Sequence, residues 1–267
     1  MTDRNQFLHP RLIDPEYLIT RLRRDDLAEC AQRCGTLLPL PSVLDFGARY
    51  APYRELFAGK ASEFKCADLA DQGDTRDIDV VVKQDGRLDL GDEQVNLVLS
   101  LQVLEHVPDV DLYLAEAHRV LKPGGRLWLT THGMWPYHPT PTDFFRWTMP
   151  GLKREIEKRF EIDDVDAMLG APAYAFMIYL RITWDLTRRL NFLQARLLNL
   201  LPGPPRWGKQ AKGPGRIRAP YAYVGNLLFY VLAPIFNLLM MLAETLTSRR
   251  SMEIEAAVFR IAARKSE

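Results

Sequence analysis

The stretch Val43-Leu-Asp-Phe-Gly-Ala-Arg-Tyr-Ala-Pro-Tyr53 limits the possible folds more than any other part of the chain. An apolar run ends on an acid, a glycine follows two residues later, and a short helical segment comes next. A parallel strand delivers its carboxyl end to a nucleotide-like ligand in this way. Asp68 stands about 20 residues past Gly47, at the end of a second short apolar run, where an acid can accept both hydroxyls of a ribose. A dinucleotide is excluded, because G-x-G-x-x-G needs glycine where Arg49 and Pro52 stand.

The remaining pattern alternates. A helix is predicted over Pro15–Leu38 with Asp14 as its N-cap. Strands are predicted at Ser42–Phe46, Ser62–Ala67, Ile78–Lys83, Val95–Ser100 and Arg126–Thr131. Helical segments at Pro52–Phe57 and Asp109–Leu121 lie between them, the second with Leu112, Ala115, Val120 and Leu121 on one face. Val80-Val-Val82 has the β-branched composition of a buried parallel strand. A helix at Met149–Arg159 and strands at Phe160–Val165 and Ala256–Ala263 follow. The expected fold is α/β, a doubly wound, mostly parallel sheet of seven strands. The chain divides into an N-terminal helical segment (1–40), a core (41–169), a helical insertion (170–250) and the last strand of the core (251–267).

The insertion carries the main asymmetry of a chain whose net charge is +1. Between Leu186 and Ala243 there is no Asp or Glu, yet Arg188, Arg189, Arg196, Arg206, Lys209, Lys212, Arg216 and Arg218 all fall there. Such a block reads as a patch for an anionic surface or as a solubilising loop. Tyr174–Leu201 reads as a basic amphipathic helix, suited to the headgroup plane of a membrane, with a break expected near Asn191. Ala219–Ala243 is uncharged and long enough for a transmembrane segment. A single crossing would strand the last strand on the far side, and Pro234 and Asn237 are expected to interrupt the run. Two alternatives remain: insertion of 174–243 into an anionic membrane surface, or burial as a lid or dimer surface. Three cysteines without zinc spacing and an N-terminus without a secretory apolar core imply a reducing, cytoplasmic setting, peripheral on the inner face of the membrane, and no metal site.

An acid two residues before the first glycine, without a pyrophosphate cradle, points to S-adenosylmethionine. Three further motifs stand in order: Val95-Asn-Leu-Val-Leu-Ser-Leu-Gln-Val-Leu-Glu-His-Val107, Arg119-Val-Leu-Lys-Pro-Gly-Gly-Arg-Leu127 and His138-Pro-Thr-Pro-Thr-Asp-Phe-Phe-Arg-Trp-Thr148. Over Ser42–Val165 the chain resembles the class I S-adenosylmethionine-dependent methyltransferases, with their Rossmann-like fold. The nearest resemblance is to a type 11-like branch associated with sugar and cell-envelope biosynthesis. The resemblance implies that Asp45 and Gly47 lie under the methionine part of the cofactor and that Asp68 takes the ribose hydroxyls. It also implies that Asp85 and Gly86 read the adenine edge, and that Ser100, Leu101 and Gln102 wall the methionine and sulfonium. The family's second and third glycines are Arg49 and Ala51 here, and its usual acid before the fourth strand is Asn96.

Methyl transfer needs alignment and, for an oxygen or nitrogen acceptor, a proton acceptor. His106, His132 and His138 are candidates. His132 or His138 is expected to act, with Asp143 orienting His138 and Arg146 beside it. Trp135, Tyr137, Phe144, Phe145 and Trp147 would wall an acceptor pocket or form core. The acceptor expected is a small or lipid-linked envelope molecule. A nucleic acid is disfavoured, since no D/N-P-P-[YF] motif is present. The alternative is a non-catalytic cofactor-binding or scaffold protein with a degenerate glycine loop.

Overall fold

The computed structural model describes residues 5–37, 39–48, 51–69, 78–138, 142–197 and 222–266. The short α1 (Asn5–Leu8) leads into α2 (Tyr17–Gly35), which starts two residues later than Pro15. Asp14 does not cap it; its carboxylate accepts the Arg11 backbone N–H instead. The strands are β1 (Ser42–Phe46), β2 (Glu63–Leu69), β3 (Val80–Val82), β4 (Val95–Leu101), β5 (Leu121–His132), β6 (Glu161–Gly170) and β7 (Ala256–Arg264). They form one sheet in the order β3-β2-β1-β4-β5-β7-β6, parallel except for β7, which runs antiparallel to both β5 and β6. The order reverses between β1 and β4, which opens a crevice at their carboxyl ends.

The helices are α3 (Val110–Val120), α4 (Met149–Ile156), α5 (Ala171–Leu197), α6 (Ala222–Leu246) and α7 (Arg249–Ile254). Asp109 caps α3 by accepting the Leu112 N–H at 3.0 Å. The buried face of α3 is Tyr113, Leu114, Ala117 and Val120, rotated from the predicted one, and Leu112 points toward the crevice instead. Pro52–Phe57 contains only a single 3-10 turn, Arg54–Phe57. β3 is an edge strand with Val81 42% exposed, so its β-branched run is not a buried one. Asn96, where an acid was expected, accepts the Ser42 N–H (3.1 Å) and hydroxyl (2.9 Å), tying the starts of β1 and β4.

α5 and α6 pack on each other and against the sheet through Met168, Leu169, Ala257 and Val258. Pro234 does not break α6, which continues to Leu246. Asn237 is buried and donates to the Leu12 and Asp14 carbonyls at 2.7 and 3.0 Å, so an apparent interruption is a tether. Glu244 accepts the Leu169 and Gly170 N–H groups at 2.7 and 2.8 Å. α5 runs unbroken past Asn191. No described helix is long and apolar enough to cross a membrane.

Candidate active site

Two cavities meet at the carboxyl ends of the parallel strands, sharing Gly47, Gln102 and His106. The first, about 590 Å³, runs from Gly47 past Asp68 to the 83–86 turn and Leu112. The second, about 380 Å³, is walled by Asp45, Leu101, His132, Trp135 and His138, with Arg23 and Arg181 at its side.

Each β-tip residue is placed by its backbone. Gly47 has φ +92°, and a Cβ there would lie 2.5 Å from Val103 Cγ2, so no side chain fits. Its N–H and that of Ala48 donate to the Ala67 carbonyl, which holds the loop across β2. Ala51, where the family has its third glycine, keeps a glycine-like φ of 47°. The chain thus follows the glycine path at the cost of some strain. Arg49 lies outside the described residues. Gly86 has φ +84° at the end of a turn closed by its N–H to the Lys83 carbonyl, and the Asp85 carboxylate accepts the Arg87 N–H at 3.1 Å.

Asp45 is 2% exposed, and its Oδ2 has no hydrogen-bond partner. Burial, with the Asp68 charge adding to it, pushes its carboxyl up to about 7. The two amide atoms of the half-buried Gln102 are likewise buried and unpartnered, on a backbone with φ 59°. Orphaned polar atoms aimed into a cavity call for a ligand that carries matching groups. An α-amino group would suit Asp45, and the polar main-chain atoms of an amino acid would suit the Gln102 amide. Asp68 lines the first cavity. The residues fit an adenosyl group in the first cavity with its amino-acid end reaching Asp45.

Ser100 is a correction. It reaches neither cavity; fully buried, it donates its hydroxyl to the Tyr113 oxygen at 2.8 Å, and Tyr113 donates its single proton to the Phe46 carbonyl at 3.0 Å. It braces β1, β4 and α3 below the site. Leu101 and Gln102 do line it.

Three histidines converge at the second cavity because the loop after β5 folds back over β4. The Phe144 N–H donates to the Glu105 carbonyl and the Trp147 N–H to the His132 carbonyl. His106 Nδ1 lies 2.7 Å from the Thr142 carbonyl, which can only accept. The proton is therefore on Nδ1, and Nε2 keeps its lone pair. His138 stands edge-on to both His106 and His132, with ring centroids 4.8 and 5.2 Å apart. Its Nδ1 is 3.2 Å from Asp143 Oδ2, and its backbone N–H donates to the same oxygen. Burial works against the Asp143 charge, but the Arg146 hydrogen bonds, the His138 backbone N–H and the Arg146 and His138 charges together outweigh it and hold the carboxyl down at about 2. Asp143 thus stays ionised as an orienter.

His132 is a second correction. It is 3% exposed, stacked on Trp135 at 4.5 Å, and burial drives its basicity down to about 2, with Arg23 and His138 adding to that. A ring so hard to protonate is a poor proton acceptor. Of the aromatic candidates, Trp135 alone lines a cavity described here; Tyr137 and Phe144 face outward, and Phe145 packs on Trp147. Arg23, Arg181 and Tyr113 carried no signal in the sequence, since they come from helices whose orientation only packing decides.

Residues 44–129 match the family described as "Methyltransferase domain". Among solved structures, the chain is similar to a protein described as a sarcosine dimethylglycine methyltransferase from Galdieria sulphuraria. The identity is 14%, with 93% of this chain and 87% of that one covered and a TM-score of 0.50. It is also similar to MccD protein, at 11% identity, 92% and 98% coverage and a TM-score of 0.50. No curated protein matches. At these identities the solved structures speak for the fold, and the domain match for the chemistry. Over residues 44–129 the chain is similar to the methyltransferase domain family, and its fold is the Rossmann-like one of the solved methyltransferases.

Proposed function

We propose that the protein methylates an oxygen or nitrogen of a small or lipid-linked acceptor while docked on an anionic membrane surface. When bound, S-adenosylmethionine supplies an activated methyl group on a sulfonium. Asp45 and Gln102 hold the amino-acid end, and Asp68 and the Asp85–Gly86 turn face the nucleoside. His106, at the junction of the two cavities, takes the acceptor proton on Nε2 while Thr142 fixes its ring. Asp143 and Arg146 hold His138 and the loop in place.

The observation that carries the membrane reading is the outer face of the α5–α6 pair. Val231, Ile235, Leu238, Leu239, Leu242 and Leu246 are all exposed along α6, and Tyr179 and Ile182 along α5. Their spacing is helical, while Ala233, Asn237 and Met240 on the opposite side are buried. Exposed apolar surface of this extent marks an interaction face. The acid-free, arginine- and lysine-rich sequence between the helices favours anionic headgroups over a protein partner. α5 also lends Arg181 to the second cavity, paired with Glu16 at 3.2 Å and over Trp135 at 5.9 Å. The docking face and the acceptor end therefore share one helix.

Flotation with phosphatidylglycerol vesicles tests this. The protein is expected to float with anionic vesicles, less with neutral ones, and to sink when Leu238 and Leu242 are both changed to Glu. Equal recovery with all vesicles and for the double variant would discard the membrane reading while leaving the methyltransferase untouched.

A further inference from the structure

We propose that Glu105, His132 and His138 bind one divalent transition-metal ion whose open position faces the second cavity. The ligand-bearing atoms of the three side chains lie within 4.8 Å of one another. They come from the turn after β4, the end of β5 and the following loop, which is why no linear spacing announces them. Two imidazoles and one carboxylate suit zinc, cobalt or ferrous iron.

Glu105 is fully buried, and its Oε1 has no hydrogen-bond donor, although His132 Nε2 stands 3.2 Å away. A buried carboxylate oxygen without a donor needs a proton or a cation. The surrounding groups are those that orient metal ligands. The Thr131 hydroxyl donates to Glu105 Oε2 at 2.8 Å, turning Oε1 toward His132. Asp143 stands on His138 Nδ1, which leaves Nε2 as the coordinating atom. Ligand atoms around a tetrahedral ion with 2.0–2.1 Å bonds stand about 3.4 Å apart. Closing the widest gap therefore takes about 1.4 Å, and His138, the one of the three that is not fully buried, is the side chain that must supply it. An oxygen of the acceptor would complete the coordination. This assignment does not depend on the membrane face.

The test uses full-length protein freed of metal by chelation and titrated with Co²⁺, read by visible absorption and calorimetry, with Zn²⁺ as competitor. Saturable one-to-one binding is expected, displaced by Zn²⁺. His138→Ala should weaken it at least tenfold, and Asp143→Asn by about 10- to 100-fold through the orienting group. Glu105→Gln should abolish it. Absence of saturable binding, or an affinity unchanged in His138→Ala, would overturn the proposal, since the ion would then sit elsewhere or nowhere. Should Glu105→Gln fail to fold by circular dichroism, His138→Ala, at a half-exposed position, decides alone.

Discussion

The two cavities are neighbours built on opposite plans. The first is made from the tips of successive strands and the helix that follows, all between Phe46 and Tyr113. The second gathers residues from Phe7 to Arg181, from three helices, three strand ends and the loops that follow those strands. The first is held by backbone geometry, with glycines at positive φ and main-chain hydrogen bonds. The second is held by side-chain networks around Asp143 and Glu105. On the proposed reading, the site for the cofactor would sit on the fold's own crevice, whereas the site for a particular acceptor would be assembled from what the fold brings near.

The comparison can be broken by substitutions on either side. Gly47→Ala should have the largest effect. The overlap with Val103 and the left-handed backbone together cost about 2–4 kcal/mol, read as a lowered denaturant midpoint and a weakened cofactor Kd. Next, Asp45→Asn should weaken cofactor binding by about 1.5–3 kcal/mol, the scale for a charged hydrogen bond, while stabilising the protein without cofactor near neutral pH. The carboxyls of Asp45 and Asp26 are pushed up to about 7 and about 6, above their usual 3.8, chiefly by burial. The folded state then binds more protons than the unfolded state between those values. Their contribution is thus fully present near pH 4 and lost as pH rises toward 7, so Tm should fall across that window. Asp45→Asn should flatten part of that slope; an identical slope would show that Asp45 does not titrate there.

On the acceptor side, His106→Gln should lower kcat by about 100-fold, the lower range for a lost general base, and leave cofactor Kd within about twofold. A parallel loss of cofactor affinity would move His106 into the first cavity's machinery. The smallest effect is expected at Ala51→Gly. Relieving a left-handed alanine should add about 1 kcal/mol of stability, and a destabilised variant would mean that the Ala51 methyl packs better than its backbone suffers.

The same contrast explains what was legible in the sequence. Strand tips announce themselves through apolar runs that end on Asp45 and Asp68, so the sheet and most of the first cavity could be read from the chain alone. Ser100 misled, because strand-end position does not say which side of the sheet a hydroxyl faces, and Tyr113 claims it from below. His132 looked reactive by place and is disarmed by burial, which no local pattern encodes. Asn237 and Pro234 looked like breakers, yet tertiary packing overrode propensity in α6. Arg23 and Arg181 lie on helices whose rotation about their axes is set by contacts distant in sequence.

The Glu244 carboxylate has a mechanical consequence. It clamps the two amides at the end of β6, where Leu169 stands in a left-handed conformation at φ 60°, and so fastens the far end of the helical pair to the strand beside β7. β7 in turn pairs with the strand that bears His132. A pair of helices anchored in this way, with Asn237 as a second rivet, turns with the sheet instead of swinging over it. If the helical face docks as proposed, the reaction centre would then meet its acceptor through the orientation of the whole body on the surface, not through a closing flap.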